Sequence, residues 1–237
     1  MSLNISKGNM YEFITHTWNT IKGECLHDCS YCYMKRWGKL NPVRFDEKEL
    51  KTDLGSGNFI FVGSSNDMFA DNIPFEWIQK TIEHCKKFPN NRYFLQSKNT
   101  RRIFELEWLI KDEIFIEEKH NGHFEKLFSI ATTIETNRTY SEFMGNTPNP
   151  LERLLEFKRL GLASFDKYIT IEPIMDFDLD VLVKELKDVL PKQINIGCDT
   201  GKNKLIEPDK AKILNLIDSV QEFTTIHNKS NLKRLLS

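Results

Sequence analysis

The sequence predicts an α/β protein, a partial (β/α)6 TIM-like barrel of parallel strands that stays open on one side. Short runs rich in β-branched and aromatic residues alternate with longer segments of helical period from end to end, the pattern of repeated β/α units. Polar residues gather at the carboxyl ends of successive strands, where a β/α barrel keeps its chemistry. No Gly/Ser linker, low-complexity tract or fixed-period repeat divides the 237 residues, so they read as a single domain, 1–237, with a tail at 224–237.

The expected strands are Phe13 to Asn19, Asn58 to Gly63, Arg92 to Ser97, Leu127 to Glu135, Lys167 to Glu172 and Gln193 to Gly197. Between them Phe75 to Phe88, Thr100 to Ile110, Pro150 to Leu160, Leu179 to Val189 and Pro208 to Phe223 place apolar residues three and four apart, as amphipathic helices do. A shorter helix is expected near Asp46 to Leu54. Pro74, Pro150 and Pro208 sit where helix starts use proline. The strand-end polar residues are Ser64, Ser65 and Asp67, then Gln96 and Lys98, Thr133 and Glu135, Thr170 and Glu172, and Asn195 and Asp199. In the fourth strand Ala131, Thr133 and Glu135 share one parity, which points them into the barrel, while Ile130 and Ile134 share the other. The charged stretch Asp112 to Glu125, with His120 and His123, reads as an exposed excursion.

Hydrophobic content of 40%, with 17 Phe and 4 Trp, excludes global disorder. A net charge of -1, from 33 Lys+Arg against 34 Asp+Glu, argues against a strongly electrostatic binder of nucleic acid or membrane surfaces. No apolar run spans a bilayer and no signal peptide opens the chain, so a cytoplasmic protein without a membrane partner is expected. Met1-Ser2-Leu3 reads as an expression-vector remnant, with a natural start at or near Met10.

Cys25, Cys29 and Cys32 stand at C-x3-C-x2-C spacing directly after the first strand. So short a loop has to wrap round what it binds, and soft thiolates select zinc or an iron–sulfur cluster over hard cations. A structural zinc needs four protein ligands and would recruit His16, His27, Cys85 or Cys198. A cubane [4Fe-4S] cluster held by three cysteines leaves one iron open to an external ligand.

The segment Cys25 to Cys32, with an aromatic just before its last cysteine, resembles the signature of the radical S-adenosylmethionine superfamily. More narrowly, T-W-N-T-I-K-G-E-C, C-S-Y-C-Y-M, F-V-G-S-S-N-D-M-F-A-D-N-I-P, Q-S-K-N, I-E-P-I and N-I-G-C-D-T-G look like a family of phage- and bacteria-associated proteins similar to spore photoproduct lyase and its relatives. The P-N-P-L-E-R-L segment at Pro148 to Leu154 is similar to theirs too. The resemblance implies that Cys25, Cys29 and Cys32 bind a [4Fe-4S] cluster whose open iron chelates S-adenosylmethionine, with Tyr31 against the adenine. It places Lys98 toward the methionine carboxylate, and Thr133 and Glu135 toward carboxylate, ribose or substrate. Gly63, Ser64, Ser65 and Asp67 occupy the place of the methionine-binding motif but depart from it, with one Gly and no Glu. Glu172 is a further candidate for ribose or substrate.

The chemistry implied is reductive cleavage of S-adenosylmethionine to a 5'-deoxyadenosyl radical that abstracts hydrogen from substrate, with an electron donor such as flavodoxin or ferredoxin. The lyase-like kinship makes a nucleotide or nucleic-acid base the expected substrate. By the same kinship Cys198 is a candidate hydrogen donor, although a lone cysteine more often packs as a small hydrophobe, the reading given to Cys85. Lys35, Arg36, Lys39 and Arg44 read either as a solvated loop or as a phosphate-facing rim, and Trp18 and Trp37 as packing over the cluster or stacking on a base. The competing function is a zinc-stabilised, non-catalytic binding module on a degenerate barrel.

Overall fold

Phe59, Ile60, Phe61 and Val62 are all buried, as are the six residues Phe128–Thr133, which marks strands covered on both faces. The computed structural model, which describes residues 3–7, 11–111, 115–117, 124–161 and 164–237, orders such runs into one eight-stranded sheet. We number its strands β1 (Asn4–Ile5), β2 (His16–Trp18), β3 (Phe59–Val62), β4 (Arg92–Gln96), β5 (Phe128–Thr133), β6 (Asp166–Ile171), β7 (Gln193–Ile196) and β8 (Thr225–Asn228). Neighbours in the chain are neighbours in the sheet. From β2 to β8 every pairing is parallel, with Trp18 opposite Val62, Val62 opposite Leu95, Gln96 opposite Ala131, Thr133 opposite Thr170 and Ile171 opposite Ile196. Only β1 runs antiparallel, against β2. The sheet does not close, so the expected partial barrel, open on one side, is what forms.

Five helices cover the outer face: α1 (Phe75–Lys86), α2 (Thr100–Glu105), α3 (Pro150–Arg159), α4 (Leu179–Val189) and α5 (Lys210–Val220). Pro150 opens α3 in its first turn, and Asn149 caps it by accepting from Leu151 N at 2.9 Å. Asp209, not Pro208, caps α5, accepting from Lys212 N at 2.8 Å. The expected helix Thr100 to Ile110 breaks at Leu106 into α2 and a one-turn piece, Glu107–Ile110. The expected Asp46 to Leu54 helix is a 3-10 turn, Glu47–Lys51.

Two apolar clusters lie on opposite faces of the sheet. Ile60, Val62, Leu95, Ile130, Ile169, Ile171, Ile194 and Ile196 pack outward against the helices. Tyr11, Ile14, Phe59, Phe61, Phe94, Ala131 and Tyr168 fill the barrel interior. Alternation at period two sends Ile130 and Ile134 to the first cluster and Ala131 to the second, as the sequence reading expects.

Two edges differ from expectation. The 224–237 segment is more than a tail, because Thr225–Asn228 pairs in parallel with β7 and supplies a seventh parallel strand. Its T-I-H-N sequence is four residues with a single apolar side chain, too short to show an alternation of apolar and polar residues. The first strand is shorter than Phe13 to Asn19, because Tyr11 to Ile14 turns into the barrel, Ile14 N donating to Tyr11 O at 3.0 Å. Of the Asp112 to Glu125 excursion, Phe115–Glu117 pairs antiparallel with Phe124–Lys126, and His120 and His123 lie outside the described residues, as do Met1, Ser2 and Met10. No described helix is long and apolar enough to cross a membrane.

Candidate active site

A cavity of about 790 Å³ opens at the carboxyl ends of the parallel strands, and Cys25, Cys29 and Cys32 all line it. The cysteine loop has few backbone hydrogen bonds of its own and is held by three neighbouring segments. Asn66, after β3, donates from Nδ2 to Gly23 O at 3.1 Å and to Glu24 O at 3.0 Å, pinning the approach to Cys25. Asp67 holds the middle of the loop, with its Oδ2 2.8 Å from His27 Nε2 while also accepting from Ser97 Oγ and Lys98 N, each at 2.9 Å. The turn after β5 closes the third side, where Ser30 N donates to Phe143 O at 2.8 Å and Asn146 N to His27 O at 2.7 Å. Gly145 makes that approach possible: it has φ +61, and a Cβ there would stand 2.2 Å from His27 O.

Lys98, just beyond β4, reaches into this wall. Its ammonium lies 2.6 Å from Glu135 Oε1, 2.9 Å from the Tyr31 hydroxyl and 3.4 Å from Cys29 Sγ. Burial alone would push its pKa down, but Glu135, then Tyr31 and Cys29, hold it well above the ordinary lysine value. Glu135 is fully buried, with Tyr31 Oη donating to its Oε1 at 2.5 Å and Arg153 Nη1 2.9 Å from its Oε2. Burial pushes this carboxyl up, yet Arg153 and then Lys98 outweigh it and hold the pKa at about 2. The Cys25 thiol is pushed up to about 11, by burial first and the Asp67 carboxylate second.

The opposite wall is built from β6, β7 and the C-terminal segment. Glu172 Oε2 lies 2.5 Å from Lys229 Nζ, and Asn231 Nδ2 donates to Glu172 Oε1 at 2.7 Å and to Cys198 O at 2.7 Å. The buried Cys198 thiol donates to Asn231 O at 2.8 Å. Tyr11 makes the floor between the walls, its phenol donating to Gln96 Oε1 at 2.6 Å and lying 2.7 Å from Thr170 Oγ1. Gln96 in turn donates to Thr133 Oγ1 at 2.8 Å, and below this layer the barrel is aromatic.

Most of the residues singled out from sequence therefore meet: Tyr31, Gly63, Ser64, Ser65, Asp67, Lys98, Thr133, Glu172 and Cys198 all line the cavity. Glu135 does not, because it stands behind Lys98 with no exposed surface. Asp67 reaches the lining with its carboxylate committed to His27, Ser97 and Lys98. The Tyr31 phenol turns inward onto Glu135 and Lys98. Lys35, Arg36 and Lys39 line the mouth, whereas Arg44 lies in an outer ribbon with Ile21–Lys22. Trp18 is buried in the outer layer against His84 and does not cover the cysteines, and Trp37, 72% exposed, is not part of the lining. Cys85 is core, as expected.

Tyr11, Lys229, Asn231 and Arg153 are residues that sequence reasoning passed over. The first three come from the termini and carry no local motif. Arg153 does leave a trace: Pro150, Arg153, Leu154 and Phe157 are the buried stripe of α3, and a charge in such a stripe calls for a buried partner.

The chemistry of the donor set fits an iron–sulfur cluster with an open iron. Three thiols of one short loop line the same cavity, and the Lys98 ammonium lies 3.4 Å from the Cys29 sulfur. Among the described residues no three His, Cys, Asp or Glu side chains, the loop cysteines included, are grouped closely enough to hold a single ion; of the further donors a structural zinc would recruit, His27 is engaged by Asp67 and Cys85 is in the core.

Fold and site together define an open parallel α/β barrel with a three-thiol pocket at its carboxyl mouth. Among solved structures, that architecture is similar to spore photoproduct lyase complexed with dinucleoside spore photoproduct, at TM-score 0.63 and 14% identity over 95% of this chain and 80% of that one. It is also similar to a spore photoproduct lyase variant with bound AdoMet and dinucleoside spore photoproduct, at TM-score 0.62 and 13% identity over 94% of this chain and 80% of that one. The chain thus shares the fold of spore photoproduct lyase. No protein-family model matches it, and neither does any curated protein.

Proposed function

We propose that this chain is a radical S-adenosylmethionine enzyme in which Cys25, Cys29 and Cys32 hold a [4Fe-4S] cluster. The observation that carries the reading is the set of three thiols on one wall of a barrel-mouth cavity, with Lys98 on Cys29 Sγ, in a fold shared with spore photoproduct lyase. When bound, the cluster supplies the electron that cleaves S-adenosylmethionine to methionine and a 5'-deoxyadenosyl radical, which takes hydrogen from substrate.

The protein's part is binding, orientation and exclusion of water. Lys98 is the cation for the methionine carboxylate. Gly63, with φ +80, turns the chain so that Ser64 and Ser65 stand at the cavity, where they and Thr133 offer hydroxyls to the amino acid and ribose. Tyr31 borders the adenine. Asp67 and Glu135 act from behind, the first on the loop and the second on Lys98. Glu172 is the polar group of the far wall for ribose or substrate. Cys198 is the candidate hydrogen donor to a product radical, its thiol on the same cavity as the loop cysteines.

The substrate is a nucleotide or nucleic-acid base. Arg36 and Lys39 line the mouth and, among the described residues, neither has a carboxylate within ion-pair reach, while Lys35 is neutralised by Asp28 at 2.7 Å. Such a rim suits a phosphate. Electron balance requires an external one-electron donor of the flavodoxin or ferredoxin kind.

The test is low-temperature electron paramagnetic resonance on anaerobically reconstituted, dithionite-reduced protein, with and without S-adenosylmethionine, beside a Cys25→Ala/Cys29→Ala/Cys32→Ala variant. The expected result is a reduced [4Fe-4S] signal that shifts on adding S-adenosylmethionine and is lost in the variant. Absence of that signal, with about one zinc per chain instead, overturns the reading.

A further inference from the structure

Arg153 enters the site from outside the barrel. It belongs to α3, is fully buried, and makes three contacts along its guanidinium: Nε donates to Pro148 O at 2.9 Å, and Nη1 donates to Thr133 O at 2.5 Å and stands 2.9 Å from Glu135 Oε2. Two of these anchor it to backbone, so its position is set by the fold and not by the carboxylate. Glu135 then presents its other oxygen to Lys98 and Tyr31, and Lys98 presents its ammonium to Cys29 Sγ. The contacts form an unbroken series from a helix on the outer face to the cysteine loop.

The order of rigidity along that series decides which residue sets the geometry. A lysine ammonium is a point charge on a flexible four-carbon stem, whereas the Arg153 guanidinium is planar and tied to backbone through Nε and Nη1, so its charge is held in one place beside Glu135 Oε2. Lys98 has no helix or strand of its own, lying between β4 and α2. Without a fixed countercharge its head would be free to leave the sulfur. Groups that orient a ligand-contacting residue in this way change affinity without touching the ligand.

We propose that Arg153 is a positioning residue of the site: it fixes the Glu135 carboxylate, and Glu135 in turn fixes the Lys98 ammonium at Cys29 Sγ and the cavity. That Lys98 then meets S-adenosylmethionine rests on the function proposed above; the coupling of Arg153 to Lys98 does not.

Both halves are tested on the full chain with Arg153→Met, Lys98→Met and the double variant. In metal-free protein each single variant leaves Glu135 one cation and the double leaves none, so the double loses more Tm than the two singles summed. Adding Glu135→Gln to the double variant recovers part of that loss. Additive losses, with no recovery, overturn the coupling. Should Arg153→Met not fold, the same cycle is run with Arg153→Lys, where the excess shrinks but keeps its sign. In cluster-loaded protein, S-adenosylmethionine is titrated against the electron paramagnetic resonance shift: Arg153→Met weakens binding about tenfold at unchanged cluster content, and Arg153→Lys, which keeps the charge but not both backbone anchors, restores only part of it. Unchanged affinity in Arg153→Met overturns the positioning role. If wild-type protein loads no cluster, the proposed function fails, and the metal-free cycle decides the coupling on its own.

Discussion

Two lysines in this protein lose most of their water and end with opposite electrostatics. Lys98, at the barrel mouth, is held well above the ordinary lysine pKa, whereas Lys167, 2% exposed in the outer layer on β6, is lowered to about 8. Burial pulls both down. At Lys98 the Glu135 carboxylate lies 2.6 Å away and wins; at Lys167 the amine donates to Lys158 O at 3.2 Å with the Phe157 ring 5.8 Å away, and the Glu107 carboxylate, which is not in an ion pair with it, raises the pKa too little to offset burial and Lys126. A dipole and a ring face cannot replace a countercharge. The comparison separates a site built to keep a charge from a layer that tolerates one.

The sharpest way to break the comparison is to take away the group that keeps Glu135 charged. Arg153→Met leaves a buried carboxylate with one cation in place of two, and urea unfolding at neutral pH should show a loss of about 3–5 kcal/mol. A loss below about 1 kcal/mol would put the Arg153 pair in the class of surface contacts.

Acid should reach the same carboxylate without mutation. Its pKa falls from 4.5 to about 2 on folding, so its stabilisation is complete above about pH 4.5 and is lost as pH falls through about 2. The full effect is on the order of 3 kcal/mol, read as the difference in acid unfolding between wild type and Glu135→Gln. Superimposable acid limbs would show that Glu135 is not held ionised.

Lys167 predicts a change of the opposite sign. Because its folded pKa lies below its unfolded one, stability should rise as pH climbs from about 8 toward 10.5. Lys167→Met should abolish that rise and, at pH 7, gain on the order of 1 kcal/mol. A loss of stability would mean that the amine is satisfied where it stands.

The smallest effect belongs to Lys35, whose pair with Asp28 has 45% and 69% of the two side chains exposed. Lys35→Ala should move Tm by no more than the equivalent of about 0.5 kcal/mol, and the shift should vanish in high salt.

Much of this was legible beforehand. The six expected strands all formed, and the period-two pattern that sets Ala131 apart from Ile130 and Ile134 marks the inner face. The three-cysteine loop, Ser64, Ser65, Lys98 and Glu172 were found from their places in the motifs and at strand ends. β8 was not, because Thr225, His227 and Asn228 carry no hydrophobic alternation and the strand exists by pairing with β7. Asp67 and Glu135 were read as cofactor contacts; folding places the first on the cavity with its carboxylate bonded to His27, Ser97 and Lys98, and the second behind Lys98 beside Arg153, partners that local sequence does not reveal.

By itself, then, the sequence determined the repeated β/α order, the face of each strand that turns inward and the cluster of thiols, since these follow from spacing along the chain. Tertiary structure alone decided which charge meets which. Arg153 and Glu135, or Lys229 and Glu172, are brought together by folding over long stretches of chain, and whether a buried group stays charged depends on a partner within a few ångströms that local sequence does not reveal.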